Sequence, residues 1–574
     1  MDPVKPGRVT RVAGPLVEVE DVGPVAVHEL VALGPAGTPG EVMAIRDGLV
    51  SLQAYEYTGG LGVGAAAVAS GKPLSVRLGP GLLGRVHDGL LRPLSDAPTF
   101  LVPGVTGEHP GERWHFQPAV RAGDHAGEGT TLGVVRDAGA LEHRVLVPPG
   151  GGGVVTAVAD GECGPATVVA VVGGTEIGLF TDWPVREPRP HRARLEDVTA
   201  LDTGQRVLDL LYPVAKGSTA AVPGGFGTGK TMLLQQLAKW CDADVIVYTG
   251  CGERGNEMAE IVAELFELAD PRTGGRLADR TVVIANTSNM PMMAREASVY
   301  TAVAVAEYYR DMGYHAVVIA DSTSRWAEAL REFASRTGTL PAEEGYPADL
   351  ASALAAFYER ACAVETLGGA EGSVTIIGAV SPPGGDLTEP VTAQTERFVR
   401  CRWTLDRDLA YARHYPAVSW SGSFSRDVAA VGVQHVRDGD PDWPSRRARV
   451  EGLLAEADRL SALAELVGAA AMSGPERATL LAGRLLREAL LQQNAFSGAD
   501  ASSPPGKTRA LAEAVLAVID RCRELVGAGA DVAAVEEFDF SALVRVREEA
   551  GPDDHDTVTR CRDAVLAGLE GLRP

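Results

Sequence analysis

The stretch Gly224-Gly-Phe-Gly-Thr-Gly-Lys-Thr231 has the residue types and spacing to hold a polyphosphate. Its glycines let successive backbone N–H groups turn inward around phosphate oxygens, with a helix N-terminus behind them. Gly224, Gly225, Phe226, Gly227, Thr228 and Gly229 would form the cradle. Lys230 would reach the β- and γ-phosphates, and the Thr231 hydroxyl would ligate Mg2+. The pattern carries meaning only between a strand and a helix, and residues 218–222 and 232–241 read as such a pair. Lysine is scarce in this chain, so a chance match is rare. A second Gly-Lys-Thr, at Gly506-Lys-Thr508, has Ala501 in place of the first required glycine and follows a loop. No function attaches to it.

Two acids complete a phosphoryl-transfer set. His315-Ala-Val-Val-Ile-Ala-Asp321 is an apolar strand ending in a carboxylate, which at a strand's C-terminal edge can hold Mg2+ or its water. Alone, such an aspartate is more often a helix cap, and the phosphate loop beside it is what favours the metal reading. Glu253, in Gly252-Glu-Arg-Gly-Asn-Glu257, follows a strand expected at 244–250 and can orient or polarise an attacking water. Its structural alternatives are capping the next helix or pairing with Arg254. Tyr415 and Phe496 can stack on a base, although aromatic side chains of this kind usually read as core.

These residues need a scaffold, and the chain divides by pattern. Short, punctuated strand-like runs fill 8–75, as in all-β barrels. A Gly/Pro-rich connector spans 76–110, and short strands return over 111–190, at 131–135, 144–147 and 166–172. From about 205 to 425, apolar runs at 244–250, 281–285, 316–320 and 374–380 alternate with helical segments at 232–241, 257–268, 295–312 and 324–333. That alternation predicts a mostly parallel sheet covered on both faces. Beyond about 440 the chain is rich in helix formers, broken at Ser502-Ser-Pro-Pro-Gly506.

The bulk properties narrow the function. A length of 574 residues predicts several domains. The net charge of -23 argues against nucleic acid as the main partner. None of the seven cysteines forms a CxxC pair, which points away from zinc and redox motifs and toward a reducing compartment. The N-terminus has no apolar run of the signal-peptide kind, and no run of about 18 apolar residues suggests a membrane span. Any role at a membrane is expected to go through partners.

On these residues the chain resembles the catalytic A subunit of archaeal- and vacuolar-type rotary ATPases, in a bacterial copy. The likeness runs from about residue 5 to 500. It is carried by Pro80-Gly-Leu-Leu with Asp88-Gly-Leu-Leu-Arg-Pro93, by Trp183-Pro-Val-Arg-Glu-Pro-Arg-Pro190 and by Gly250-Cys-Gly-Glu-Arg-Gly-Asn-Glu257. Ser288-Asn-Met-Pro, Arg295-Glu-Ala-Ser, the run Ala320 to Arg331, Val380-Ser-Pro-Pro-Gly-Gly-Asp386 and Gln492-Gln-Asn-Ala-Phe496 extend it. The segment 111–190, with Trp114-His-Phe116, is similar to the insertion that distinguishes these catalytic chains from F-type beta chains and flagellar export ATPases.

The resemblance implies an N-terminal β-barrel (1–75), the connector (76–110), a β-rich insertion (111–190), a RecA-like α/β P-loop domain (191–425) and a C-terminal helical bundle (426–574). It implies ATP or ADP with Mg2+ as ligands, Glu253 as the catalytic glutamate, and Arg254 beside the phosphate. Lys230, Thr231 and Asp321 match its phosphate and magnesium residues, Tyr415 and Phe496 its adenine sandwich, and Arg325 a supporting arginine. It further implies three such chains alternating with three B subunits around a central shaft, with peripheral stalks, at the cytoplasmic face of the cell membrane. The trans arginine would come from the B subunit. ATP synthesis or hydrolysis would be coupled through the shaft, touched by the C-terminal helices, to movement of H+ or Na+. Three departures stand out. Gly225 replaces a proline usual in the loop, Thr228 stands where eukaryotic relatives have a cysteine, and after Phe496 the familiar sequence gives way to Ser497–Pro505. The competing readings are a ring ATPase that exports protein or unwinds nucleic acid, and a non-catalytic nucleotide-binding member of the same ring.

Overall fold

A computed structural model describes residues 6–95, 111–337, 340–468 and 471–573. Residues 1–5, and 96–110 of the expected connector, lie outside that set. The chain divides into two compact units, one built from 1–196, 243–380 and 388–398, the other from 197–242, 381–387 and 399–574.

The first unit opens with a closed six-stranded barrel in the order Gly7–Ala13, Leu16–Glu20, Leu49–Ala54, Thr38–Arg46, Glu29–Leu33, Ala66–Pro73. Alternation closes it: Val17 and Val19 point inward with Val31, Leu33, Val42 and Leu52. The insertion is two four-stranded antiparallel sheets. One holds His143–Leu146, Thr131–Val135, Trp114–Pro118 and Gly161–Cys163, and the other His125–Ala126, Gly153–Val158, Val168–Val172 and Thr175–Gly178. They share a core of Trp114, Phe116, Leu132, Val145, Val155 and Val169. The strand expected at 131–135 is observed over those residues, and the one expected at 144–147 begins a residue earlier.

The same unit carries five parallel strands in the order Glu371–Val380, His315–Asp321, Val245–Glu253, Thr281–Thr287, Arg85–His87. The last comes from the connector, where the Gly/Pro pattern predicts no strand. The inner strands are buried almost throughout, which is why they read as unbroken apolar runs. Helix Met292–Asp311 is buried along nearly its whole length, and Ala294, Ala297, Ala302, Ala304 and Ala306 give it the small-residue profile this requires. Gly255–Glu267 and Thr323–Thr337 are the other long helices here.

In the second unit Thr219–Pro223 runs parallel to Cys401–Arg402, which pairs with Phe424–Ser425 antiparallel. Helix Lys230–Trp240 follows the first of these strands. The helical region comprises Trp443–Val467, Gly474–Leu485 with a π-helical continuation Leu486–Leu491, Pro505–Gly527, Val532–Glu536, Ser541–Glu549 and His555–Leu569. The observed interruption runs from Gln492 to Pro504, so it starts well before the expected break at 502–506, and Pro505 and Gly506 already open the next helix.

Lys507 shows why the second Gly-Lys-Thr is not a phosphate site. Its side chain is fully buried in helix Pro505–Gly527, and Nζ donates to the carbonyls of Ala499, Arg547 and Ala550 at 2.7, 2.8 and 2.8 Å. Three chain segments converge on one ammonium. Lys507→Met would strand those carbonyls, so urea melts should show a loss of about 3 kcal/mol while ATP affinity per folded molecule stays unchanged. A parental melting curve would remove this structural role.

Candidate functional site

In the second unit, strand Thr219–Pro223 delivers the chain into the turn 224–229, and helix Lys230–Trp240 leaves it. Gly227 and Gly229 adopt φ of 80° and 84°, the left-handed region where side-chain-bearing residues are strained. Gly224 is needed for space instead: a Cβ there would lie 2.8 Å from Thr228 Oγ1 and 2.9 Å from Leu405 Cβ. The buried Thr228 hydroxyl donates to the Gly225 carbonyl at 2.9 Å and braces the turn. The helix has no capping side chain and no acid in its first turn, so no side-chain charge there offsets the positive end of its dipole. That is an anion-binding end.

Lys230 folds back over the turn. Its ammonium lies 3.5 Å from the Gly224 carbonyl and donates to Ser381 Oγ. Ser381 opens the Ser-Pro-Pro-Gly-Gly-Asp386 stretch, and the sequence alone assigns it no role; a serine after a buried strand was the available signal. Thr231 is exposed. So is Phe226, at 99 %.

Tyr415 packs against the end of the turn, since a Cβ on Gly229 would sit 3.2 Å from its ring. It is 42 % exposed and Phe496 is 87 % exposed, which overturns the expectation, on composition alone, that these rings are core. A backbone bond from Gln493 N–H to the Tyr415 carbonyl, at 2.8 Å, ties the two rings' segments together.

In the first unit, Glu253 ends strand Val245–Glu253 and Asp321 ends the neighbouring parallel strand His315–Asp321. Both therefore lie at the carboxyl edge of the sheet, where open α/β folds bind ligands. Asp321 is 4 % exposed, and one carboxylate oxygen accepts the Tyr248 hydroxyl at 3.0 Å. Burial, then the neighbouring Asp321 charge, push the Tyr248 hydroxyl well above its ordinary pKa, so it stays a neutral donor. The register slips between Cys251 and Glu253, and the extra residue is Gly252 with φ 85°. Burial raises the Cys251 thiol to about 12, so it is no nucleophile.

Arg295 lies across the bulge: a Cβ on Gly252 would meet its side chain at 2.7 Å. Its Nη2 donates to the Ser288 carbonyl at 2.9 Å, and Ser288 N–H donates to the Glu253 carbonyl at 2.9 Å. The sequence singles out Arg295 only as part of a similar stretch. The Arg254 guanidinium is exposed and lies 3.6 Å from Glu257. Arg254 occupies the cap of helix Gly255–Glu267 without a side-chain capping bond. Arg325 is bonded to Glu328 at 3.0 Å, and that bond, with the nearby Glu253 and Glu257 charges, raises its pKa.

Thr231 and Asp321 offer a hydroxyl and a carboxylate, hard oxygen donors of the kind Mg2+ takes beside phosphate oxygens and water. Among the described residues no cluster of three or more His, Cys, Asp or Glu is gathered to hold a metal.

Residues 204–425 match the nucleotide-binding domain of the ATP synthase alpha/beta family, 109–186 its barrel-sandwich domain and 9–71 its β-barrel domain. Residues 434–526 match the C-terminal domain of V and A type ATP synthases. The chain is 48 % identical over 546 residues to the V-type ATP synthase alpha chain of Anaeromyxobacter dehalogenans strain 2CP-C, covering 93 % of this chain and 94 % of that one. It is 46 % identical over 544 residues to the V-type ATP synthase alpha chain 1 of Clostridium tetani, covering 92 % and 91 %. The corresponding A-type ATP synthase chain of Haloferax volcanii is 45 % identical over 544 residues, covering 93 % and 92 %. Among solved structures it is similar to the assembled ATPase EscN of the enteropathogenic E. coli type III secretion system. The TM-score is 0.64 at 22 % identity, over 89 % of this chain and 100 % of that one, a likeness of fold.

Proposed function

The chain belongs to the alpha-chain family of V- and A-type ATP synthases, an ATP-binding enzyme family, and from that premise we propose the residues that do its work. The turn 224–229 and the first turn of helix Lys230–Trp240 hold the nucleotide phosphates, with Lys230 on the β- and γ-phosphates. Thr231 and Asp321 hold Mg2+, which when bound draws off phosphate charge. Glu253 orients and polarises the water that attacks the γ-phosphate, and in synthesis the same group receives the departing water. Arg254 and Arg325 supply positive charge beside it, and Tyr415 and Phe496 take the two faces of adenine. The observation that carries this reading is the turn itself: two left-handed glycines, a braced threonine and an uncapped helix end with its lysine folded inward.

The domain bounds follow the sequence pattern: barrel 1–75, connector 76–110, insertion 111–190, nucleotide-binding domain 191–425 and helical domain 426–574. The catalytic unit is a ring of three such chains alternating with three B subunits, served by a central shaft and peripheral stalks and coupled to H+ or Na+ transport. Among the described residues no helix is long and apolar enough to cross a membrane. Attachment to the cytoplasmic face of the membrane therefore runs through partner proteins. Co-purification tests the assembly: a B-type chain should come down with this one, and ATPase activity should appear only with both present. Full activity of the isolated chain would contradict it.

Gly225 gives a third expected result. A Cβ there would meet only Arg407 Nη2 at 3.5 Å and Gly385 Cα at 3.8 Å, ordinary contact distances. Gly225→Pro should stiffen the turn and tighten ATP binding several-fold, because less backbone freedom is lost on binding. Weaker binding by the proline variant, measured calorimetrically, would contradict this.

A further inference from the structure

The segment from Gln492 to Pro504 is neither helix nor strand, yet it carries Phe496, whose ring is 87 % exposed. Core packing does not fix a ring so exposed, so its backbone must. We infer that a buried pair in the second unit, Arg206 and Asp500, positions Phe496 and Tyr415 for the base, a role that rests on the assignment of both rings to adenine. Arg206 and Asp500 are positioning residues: they set how tightly the site holds adenine, and leave its hold on the phosphates to the turn 224–229.

Both side chains are fully buried. Arg206 opens helix Arg206–Leu211, shortly before the strand Thr219–Pro223 that delivers the phosphate turn. Its guanidinium clamps the start of the irregular segment. Nε donates to the Leu490 carbonyl at 2.7 Å, Nη2 to the Gln492 carbonyl at 2.6 Å and Nη1 to Asp500 Oδ1 at 2.6 Å. Its backbone N–H donates to Gln493 Oε1 at 2.9 Å, and Gln493 Nε2 donates to the Gly204 carbonyl at 2.8 Å. Asp500 closes the bracket from the other end: Oδ2 accepts the Asn494 N–H at 2.8 Å and Arg547 Nη1 at 2.7 Å. Asn494 Oδ1 in turn accepts the Phe496 N–H at 3.1 Å, and the Gln493 N–H holds the Tyr415 carbonyl. Both rings thus hang on backbone that the pair fixes.

Net stability is a poor account of such a pair, because desolvating two charges offsets most of their attraction. What it supplies is direction: a planar guanidinium and a carboxylate bond along fixed lines. An irregular segment ordered in advance loses less freedom when a base enters, and affinity rises accordingly. Lys507 holds the same segment only beyond Phe496. Its three N–H donors are taken by the carbonyls of Ala499, Arg547 and Ala550, which leaves none for 492–496.

Steady-state kinetics of the assembled enzyme test this, with inorganic tripolyphosphate as a competitor that has no base. Asp500→Asn keeps the shape of the side chain and removes its charge. It should raise the KM for Mg·ATP by about tenfold, the order of one lost stacking contact, with the inhibition constant of tripolyphosphate within about twofold of the parent's. No rise in the KM for ATP, or an equal rise in both constants, overturns the inference. Phe496→Ala separates it from the adenine assignment. Should Phe496→Ala keep the parental KM, the assignment fails and the inference with it. Should Phe496→Ala raise the KM while Asp500→Asn does not, the inference alone fails. If Asp500→Asn does not fold, Asn494→Ala takes its place, removing the acceptor of the Phe496 N–H at a half-buried position. The KM for ATP should then rise several-fold with tripolyphosphate inhibition unchanged, and a parental KM overturns the inference.

Discussion

Glu253→Gln should leave Mg·ATP bound with nearly parental affinity and lower steady-state turnover by about 100-fold or more. Glutamine keeps the shape of the side chain but loses the negative charge that polarises water. The site's construction makes this a change in kcat rather than in binding. Glu253 sits on a bulged strand end whose backbone is fixed by the Ser288 bond and backed by Arg295, while the turn assigned to the phosphates lies on other elements. Substitution at 253 therefore need not disturb the cradle. Turnover measured on the assembled enzyme beside equilibrium nucleotide binding separates the two quantities, and unchanged turnover would remove the catalytic role of Glu253.

The second large effect is expected at Lys230. Lys230→Ala removes the ammonium held over the turn by the Gly224 carbonyl and Ser381. A charge-assisted hydrogen bond of this kind contributes about 2–3 kcal/mol, or roughly 30- to 150-fold in Kd for ATP. Turnover should fall below detection, because the same charge is needed as the γ-phosphate separates. Lys230→Arg should not restore it, since a planar fork does not fit a turn shaped around a compact ammonium. Thermal melting without nucleotide should stay within a few degrees of the parent. Parental ATP affinity in Lys230→Ala, by fluorescent-analogue displacement, would contradict the assignment.

What the sequence showed, it showed through local pattern. Glycines at 227 and 229, with Lys230 and Thr231 behind them, belong to a motif whose conformation is set within eight residues. The strand before it and the helix after it lie within two residues of their expected bounds. Glu253 and Asp321 were visible for a related reason: each closes an apolar run, and parallel strands all end on one side of a sheet. The barrel and the insertion were visible as alternation and punctuation, though not as a closed ring of six strands or as two four-stranded sheets, because strand order depends on contacts far apart in the chain.

The missed features are all long-range. Ser381 beside Lys230 is 151 residues away along the chain. Tyr248 beneath Asp321 is 73 residues away. No local signal marks Arg295 as the residue that lies across Gly252. The ring exposures failed differently: an aromatic side chain is core more often than not, and that expectation does not apply where a chain holds a ring out of its own core. Lys507 shows the converse case. A lysine in a near-miss motif turned out to be a structural tie among three carbonyls, and only the missing first glycine and the preceding loop separated it from a phosphate lysine in advance.

The most direct measurement is a crystal structure of the assembled enzyme with Mg2+ and a slowly hydrolysed ATP analogue. The account predicts the β- and γ-phosphates on the backbone N–H groups of 226–231 with Lys230 Nζ between them, Mg2+ on the Thr231 hydroxyl, and adenine between Tyr415 and Phe496. An analogue bound elsewhere, with that turn holding no phosphate, would contradict it.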